Sequence, residues 1–253
     1  MKIKMYLNRE NLLAGVTLRD RTEPEDNNMA IHTCINPENI IANRKKLASY
    51  LNCDLKDFVC PDQTHSSNFY KVIIKDKGRG IYSSEDAIKN TDAIYTYEPN
   101  ILLCCFTADC VPVFFYNKET GLVGIIHSGW KGTVNEITLK VLEHIKKNEQ
   151  TNPNGLYVNI GMSISQERFE VDEDVYNQFI KLGYADSFIY YNEKTNKHHI
   201  DNKRIVKKQF ELAGVPRDNI SIDDTCTFSS PDCFSYRQNK NCGRHLNFIM
   251  KTQ

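Results

Sequence analysis

The sequence lacks any long apolar run: no stretch approaches the roughly 20 residues that a membrane-spanning helix needs. The opening residues, MKIKMYLNRE, also lack the apolar core of a secretion signal. The chain also has no formal net charge, because 32 basic residues balance 32 acidic ones. We therefore expect a cytoplasmic protein whose overall charge indicates neither a nucleic-acid nor a membrane partner.

Local signatures are missing too. Neither C-x-x-C nor H-E-x-x-H occurs, so no single segment encodes a zinc site. The G-x-G-x-x-G fingerprint and the P-loop are absent, although strand-like and helix-like segments alternate along the chain. No repeat, low-complexity tract or linker divides the 253 residues. The pattern predicts a single α/β domain over residues 1–253.

Cysteine is plentiful but does not suggest disulfides. There are nine cysteines, an odd number, and Cys104 and Cys105 are adjacent inside a predicted buried strand. We expect reduced thiols in a reducing compartment. A looser grouping of sulfur and imidazole near the C-terminus predicts either a structural metal site or free thiols: Cys226, Cys233, Cys242 and His245.

Residues 101–133, ILLCCFTADCVPVFFYNKETGLVGIIHSGWKGT, are the most informative stretch. Three short apolar runs bounded by turn residues predict three buried strands. Cys110 lies between the first two runs, and His127 ends the third. A thiolate and an imidazole held at strand ends are typical of a metal site or of a thiol nucleophile.

The residues after His127 predict a tight turn and a helix. Gly129 and Gly132 permit a close backbone approach, and the segment Thr133 to Glu136 fits a capping box at the start of a helix. Free amides at a helix start favour an anion, and Lys131 adds a full positive charge. The alternative is an ordinary connection with a surface lysine.

Two further positions stand out. Asn36-Pro37 predicts a helix start, and Arg44 then falls in the apolar stripe of that helix. Burying a guanidinium is costly, so Arg44 should meet a carboxylate, a ligand anion or solvent. His65 lies in a polar loop after a short strand, and alone it would be only a weak third ligand beside Cys110 and His127.

The residue types leave two chemistries open. Two histidines and one cysteine from separate strand ends would leave the fourth place on a metal vacant, as catalytic zinc requires. Alternatively, Cys110, His127 and Asp109 could serve as nucleophile, base and orienting group without a metal.

Three segments, DQTHSS, TADCVPVF and IHSGWKGT, resemble the signatures of the YfiH-like family. That family is often labelled multicopper polyphenol oxidase (laccase domain) and is also assigned as purine nucleoside phosphorylase with adenosine deaminase activity. Further matches in family order are GVT, ANR, FEVDEDV, CT, FSYR and GR, which span nearly the whole chain. The resemblance implies mixed sheets sandwiched between helical layers, and a zinc site made by His65, Cys110 and His127.

The resemblance also implies an activity: zinc-dependent phosphorolysis of inosine, adenosine and methylthioadenosine, with deamination of adenosine. Arg44 and Lys131 are then candidates for binding phosphate, and Asp109 for acid–base catalysis or support of the metal ligands beside Cys110. The remaining substrate-binding candidates are Gln63, Ser66 and Trp130. Lys131 stands where the family usually has arginine. The lysine amine keeps the positive charge but lacks the planar guanidinium that binds an oxyanion through two parallel hydrogen bonds.

Other functions remain open at this point. One is a copper-dependent polyphenol oxidase, because Cu²⁺ binds a His/Cys site more tightly than Zn²⁺. Another is a Cys–His amidase or hydrolase acting on cell-wall peptides, and a third is a metal-binding protein without turnover. The chain could be a monomer or a homodimer.

Overall fold

The computed structural model describes residues 1–252, which form fourteen β-strands and five α-helices. The helices are α1 Pro37–Tyr50, α2 Trp130–Val134, α3 Ile137–Asn148, α4 Glu173–Ile180 and α5 Asn202–Leu212. The first seven strands are β1 Ile3–Arg9, β2 Leu12–Thr17, β3 Phe58–Val59, β4 Phe69–Lys71, β5 Ala93–Thr96, β6 Leu102–Thr107 and β7 Val111–Asn117. The other seven are β8 Val123–Ser128, β9 Leu156–Ile160, β10 Glu170–Val171, β11 Ile189–Asn192, β12 Lys197–Ile200, β13 Ile220–Ile222 and β14 His245–Lys251.

The strands form three sheets. A five-stranded sheet has the order β1-β2-β14-β6-β3 and is antiparallel except where β3 pairs with β6. A six-stranded mixed sheet has the order β13-β9-β7-β8-β5-β4, with β7 and β8 antiparallel at its centre. A small three-stranded sheet has the order β10-β12-β11.

The two large sheets pack face to face between helices. Buried residues of both sheets meet in one cluster that includes Ala14, Leu103, Phe114, Ile125 and Ile249. The outer face of the six-stranded sheet packs on α3 and α5, and the outer face of the five-stranded sheet packs on α1. The predicted α/β sandwich of mixed sheets flanked by helices is therefore confirmed.

Strand β6 shows why a continuous apolar run predicts a strand here. Leu102 and Cys104 face the helix α1 side, whereas Leu103 and Cys105 face the other large sheet. Both faces of the strand are buried, so apolar residues do not alternate with polar ones. All nine cysteines of the chain carry free thiols.

The segment after His127 forms two helices, α2 and α3, and not the single capped helix that the sequence predicts. Thr133 lies inside the short helix α2, where its hydroxyl contacts the Ser128 hydroxyl and the Gly129 carbonyl. Glu136 adopts a left-handed conformation with φ of 56° before α3 and accepts a hydrogen bond from Tyr184. The predicted capping box is therefore wrong, because other contacts take both of its side chains.

Helix α1 begins as predicted, with the Asn36 side chain accepting a hydrogen bond from the amide of Glu38 and with Pro37 in the first turn. None of the helices in residues 1–252 combines the length and the apolar character that crossing a bilayer would require.

Candidate metal centre

Three ligand side chains converge at one end of the six-stranded sheet. His65 lies in the loop before β4, Cys110 immediately precedes β7, and His127 lies near the end of β8. Because β7 and β8 are antiparallel and pair Pro112 with His127, the two strands bring Cys110 and His127 together. The ligand atoms of the three residues all lie within 4.8 Å of one another.

The separation of His65 and Cys110 is close to that of two ligands on a tetrahedral zinc. Zinc bonds of about 2.3 Å to sulfur and 2.05 Å to nitrogen separate those two atoms by about 3.6 Å. The distance between Nε2 of His65 and Sγ of Cys110 is 3.7 Å. A methyl group at Gly129 would lie 2.7 Å from the His65 ring and 3.0 Å from the Cys110 sulfur, so only glycine leaves the ligands this room.

The ligands perturb each other's protonation. Burial opposes a charge on Cys110, but the charge of His127 and hydrogen bonds from both histidines lower the thiol pKa to about 6. Burial also opposes a charge on His127, yet the Cys110 charge and the Asp92 carboxylate raise the pKa of His127 to about 9. The metal-free pair is therefore a thiolate and an imidazolium at neutral pH. The thiolate suits a nucleophile or a metal ligand, whereas His127 releases its proton when it binds a metal.

Asp92 supports the ligands, and the sequence did not reveal it. Its buried carboxylate lies 2.8 Å from Nδ1 of His127 and accepts hydrogen bonds from the amides of His65 and Ser66, at 3.1 and 2.6 Å. The contact directs Nε2 of His127 toward the site and holds His65 in a left-handed conformation with φ of 59°. Asp92 can be identified only from the pairing of the strands. Strand β5 pairs Ala93 with Ile126 of β8, and this register puts Asp92 opposite His127.

A cavity of about 590 Å³ opens beside the three ligands. The sequence-predicted residues Arg44 and Gln63 line it. Lining residues that sequence reasoning did not single out as site residues are His32, Asp62, Phe106, Tyr236 and Arg244. They come from separate segments, and the sequence signal for three of them is the family match: Asp62 lies in DQTHSS, Tyr236 in FSYR and Arg244 in GR.

Arg44 is buried in the cavity wall, and main-chain oxygens surround it. Its guanidinium donates to the carbonyls of Met29, Gly80 and Ile81 and lies 5.2 Å from the centre of the Phe106 ring. These contacts use four of its five N–H groups and neutralise none of its charge. The sequence did not predict carbonyl partners for this side chain.

Arg244 is the second guanidinium of the cavity. One terminal nitrogen donates to the carbonyls of Cys242 and Gly243, and the group lies 5.4 Å from the centre of the Tyr236 ring. Within residues 1–252, its Nε and second terminal nitrogen make no hydrogen bond. Burial and the charges of Arg244 and Arg44 lower the pKa of His32, so this imidazole is neutral at pH 7.

Gln63 and Ser66 are engaged within the protein. The Gln63 amide donates to the Phe106 carbonyl at 3.0 Å and accepts from the Phe106 amide at 2.7 Å, which fixes that end of β6. The Ser66 hydroxyl donates to Asp92 at 2.7 Å, and Ser66 does not line the cavity. Substrate contact by either residue stays a prediction.

Asp109 binds the C-terminal region. Its carboxylate accepts hydrogen bonds from the hydroxyls of Thr227 and Ser235 and from the amide of Arg237. Its φ of 88° is left-handed, which positions Cys110 for β7. Asp109 does not line the cavity, and its acid–base role stays a prediction.

Trp130 and Lys131 also lie outside the cavity lining. Trp130 packs against the apolar cluster of α4, α5 and the small sheet. Lys131 is exposed, with its amine 5.6 Å from the centre of the Trp130 ring. Their predicted contacts with substrate and phosphate stay predictions.

The C-terminal cysteines do not form the second metal site that the sequence allowed. His245 is fully buried, where it accepts from the Phe234 amide and contacts the Thr17 carbonyl. Cys226 accepts from the Ser165 amide, and Cys233 lies against Met162. Within residues 1–252, only His65, Cys110 and His127 form a group of three or more such ligands.

Comparison with known proteins agrees with the fold. A family model described as multi-copper polyphenol oxidoreductase laccase matches residues 15–252. The chain is 33% identical over 248 residues to purine nucleoside phosphorylase YlmD of Bacillus subtilis strain 168, covering 96% of this chain and 89% of that protein. It is 36% identical over 245 residues to purine nucleoside phosphorylase SSP1584 of Staphylococcus saprophyticus, covering 94% and 92% of the two chains.

Solved structures show the same architecture. The protein YfiH of Bacillus licheniformis superposes with a TM-score of 0.91 at 30% identity, over 98% of this chain and 99% of that one. YlmD of Geobacillus stearothermophilus superposes with a TM-score of 0.90 at 29% identity, over 96% and 93%.

Proposed function

The chain belongs to the multi-copper polyphenol oxidoreductase laccase family, and from this membership and its site we propose that it is a zinc-dependent purine nucleoside phosphorylase. Relatives that share about a third of its residues carry the name purine nucleoside phosphorylase. Phosphorolysis of inosine, adenosine and methylthioadenosine, and deamination of adenosine, are the reactions we assign to the cavity.

The observation that carries this proposal is the charge of the cavity. Arg44 and Arg244 both line it, and neither forms an ion pair with a carboxylate of residues 1–252. Two guanidiniums that pair with no carboxylate favour binding of an oxyanion in the cavity. The His65, Cys110 and His127 group lies in the wall of the same cavity.

Size and surface suit a nucleoside with phosphate. A volume of about 590 Å³ falls within the roughly 300–1,000 Å³ of small-molecule sites. Phe106, Tyr236 and neutral His32 give the lining flat rings on which a purine can stack.

Zinc fits the donor set, because two imidazoles and a thiolate whose ligand atoms lie within 4.8 Å of one another leave a fourth place open. When bound, zinc supplies a Lewis acid that polarises a substrate oxygen or lowers the pKa of a water.

The chain's own residues supply binding and orientation. The free edge of Arg244 can hold two phosphate oxygens, and Arg44 adds one N–H group and its charge. Asp92 keeps His65 and His127 in place, and Gln63 keeps Phe106 in place. For deamination, the same cavity would hold the adenine ring near the metal ligands.

The test is to incubate zinc-loaded protein with inosine or adenosine, with and without phosphate, and to identify products by mass. We expect free base and ribose 1-phosphate only when phosphate is present. Unchanged nucleosides in the wild-type reaction would refute the proposal.

Arg244→Gln should raise the KM for phosphate at least about tenfold, since a charge-assisted contact is lost. Lys240→Gln is the matched control, because it removes an exposed positive charge from the same C-terminal segment without touching the lining. An equal rise in KM for both variants would show that Arg244 acts only through overall charge.

A copper-dependent polyphenol oxidase is the second candidate, favoured by the description of the family. A laccase holds several coppers in a histidine-rich cluster, whereas two of the seven histidines here lie in the ligand group. Oxygen consumption with a phenol, in protein purified without added copper, would favour this candidate.

A Cys–His hydrolase is the third candidate, favoured by the thiolate–imidazolium pair of the metal-free site. Such an enzyme would keep its activity in a chelator and lose it when Cys110 is alkylated.

A further inference from the structure

Asp62 provides the one carboxylate in the cavity lining formed by the described residues. Its neighbours there are two guanidiniums, Arg44 and Arg244, together with imidazoles and aromatic rings. A carboxylate in a cavity with two guanidiniums would be expected to form an ion pair with one of them. No such pair forms.

The Asp62 main chain is fixed by hydrogen bonds, whereas its carboxylate accepts none from the described residues. The amide of Asp62 donates to the Ile88 carbonyl and its carbonyl accepts from the Thr91 amide, each at 3.0 Å. Within residues 1–252, the carboxylate accepts no hydrogen bond, and its nearest cation is the Lys89 amine at 3.9 Å. The side chain is 38% exposed and lines the cavity, so apart from this long ion pair with Lys89 its oxygens can accept hydrogen bonds from a ligand.

Other acceptors near the site are already used. The carboxylates of Asp92 and Asp109 are bonded to protein donors, and the Gln63 amide oxygen accepts from Phe106. A purine nucleoside brings hydroxyl and ring N–H donors that need acceptors once water is displaced. Asp62 offers the free anionic acceptor for them.

We propose that Asp62 recognises the nucleoside directly, by accepting a hydrogen bond from a ribose hydroxyl or a purine N–H. This inference rests on the proposed function. The guanidiniums then bind the anion, and Asp62 binds the neutral substrate and sets its specificity.

The experiment compares wild type, Asp62→Asn and Asp62→Ala in the phosphate-dependent cleavage of inosine. A hydrogen bond to a charged group corresponds to a loss of about 10- to 150-fold in kcat/KM, which we expect for Asp62→Ala. Asp62→Asn keeps an acceptor oxygen and should recover part of that loss. Zinc content and the KM for phosphate should stay at wild-type values, because Asp62 contacts neither site.

Substrate analogues identify the donor. If Asp62 binds the ribose, the alanine variant should lose less activity on 2′-, 3′- or 5′-deoxyinosine than on inosine. If Asp62 binds the base, the smaller loss should appear with purine riboside, which lacks the N–H of the hypoxanthine ring. Equal losses on all five substrates would overturn the proposal.

Glu85→Gln is the matched control, because it removes an exposed negative charge from the neighbouring loop without touching the lining. An Asp62→Ala variant within about threefold of wild type, less than the loss of a neutral hydrogen bond, would refute the role of Asp62 and leave the phosphorylase proposal standing. A wild-type protein without phosphate-dependent cleavage would instead refute the phosphorylase proposal itself.

Discussion

At the scale of single residues, the metal ligands depend on atoms that hold them in place. His65 and His127 lie far apart in sequence, and the Asp92 carboxylate contacts both. The sequence shows Cys110 and His127 because both stand at predicted strand ends, whereas only the family resemblance assigns His65 to the site. It hides Asp92, since a carboxylate before a strand is common and its partner is known only from strand register.

We predict that Asp92→Asn weakens zinc binding by about 10- to 100-fold, the usual effect of removing a partner of a metal ligand. An amide nitrogen would face the N–H groups that the carboxylate now accepts from, so the His65 loop would lose its anchor. Competition with a chromophoric chelator measures the affinity. Ser66→Ala is the control, because it removes one hydroxyl contact and should weaken binding less. Wild-type affinity in Asp92→Asn would contradict this role.

At the scale of elements, apolar runs predicted the strands well, and helix starts depended on context. Strands β6, β7 and β8 are buried on both faces, and packing therefore requires apolar residues along nearly their whole length. This is why their apolar runs identify them in the sequence. The start of α3 is set by Glu136 and its partner Tyr184, which lie in different segments. A local capping pattern could not predict that contact.

Strand β14 begins at His245, which gives the central element of the five-stranded sheet a pH dependence. Burial lowers the pKa of His245 to about 4, although contacts with Thr17 and Phe234 act the other way. The unfolded chain binds a proton below pH 6.5, whereas the folded chain does not until about pH 4. Stability should therefore fall as pH drops through this window, by at most about 3 kcal/mol from this residue.

Urea unfolding of chelator-treated protein from pH 7 to pH 4 measures this loss, and the chelator removes any contribution from metal release. His245→Gln retains a donor and an acceptor but cannot titrate in this range, so its stability should depend less steeply on pH. An equal slope in both proteins would contradict the assignment.

At the scale of the whole molecule, the alternation of strand-like and helix-like segments predicted an α/β protein, and only the family resemblance implied mixed sheets sandwiched between helical layers. The cavity was not predicted, because its lining comes from distant segments such as His32, Asp62 and Arg244. Such residues have no shared period and no fixed spacing. Whether residues 1–253 fold as one domain, as the sequence predicts, is an energetic property that unfolding can test.

We predict a single unfolding transition. Trp130 is the chain's one tryptophan and packs beside the small sheet, so its fluorescence follows that region, whereas far-UV circular dichroism follows all three sheets. Both signals should change together, and zinc at 100 times its Kd should stabilise both by about 2.7 kcal/mol. Separate midpoints, or a zinc effect on one signal alone, would indicate more than one unit.

The two cavity arginines differ in what mutagenesis can learn from them. Removing the Arg44 side chain would leave the buried carbonyl oxygens of Met29, Gly80 and Ile81 without hydrogen bonds. Loss of activity in such a variant could then come from misfolding as well as from weaker phosphate binding. Arg244 uses mainly one nitrogen to hold its own loop, and its remaining edge can be deleted with little disturbance of the surroundings. If both arginines were replaced and only activity were measured, the structural role of Arg44 would be mistaken for a catalytic one.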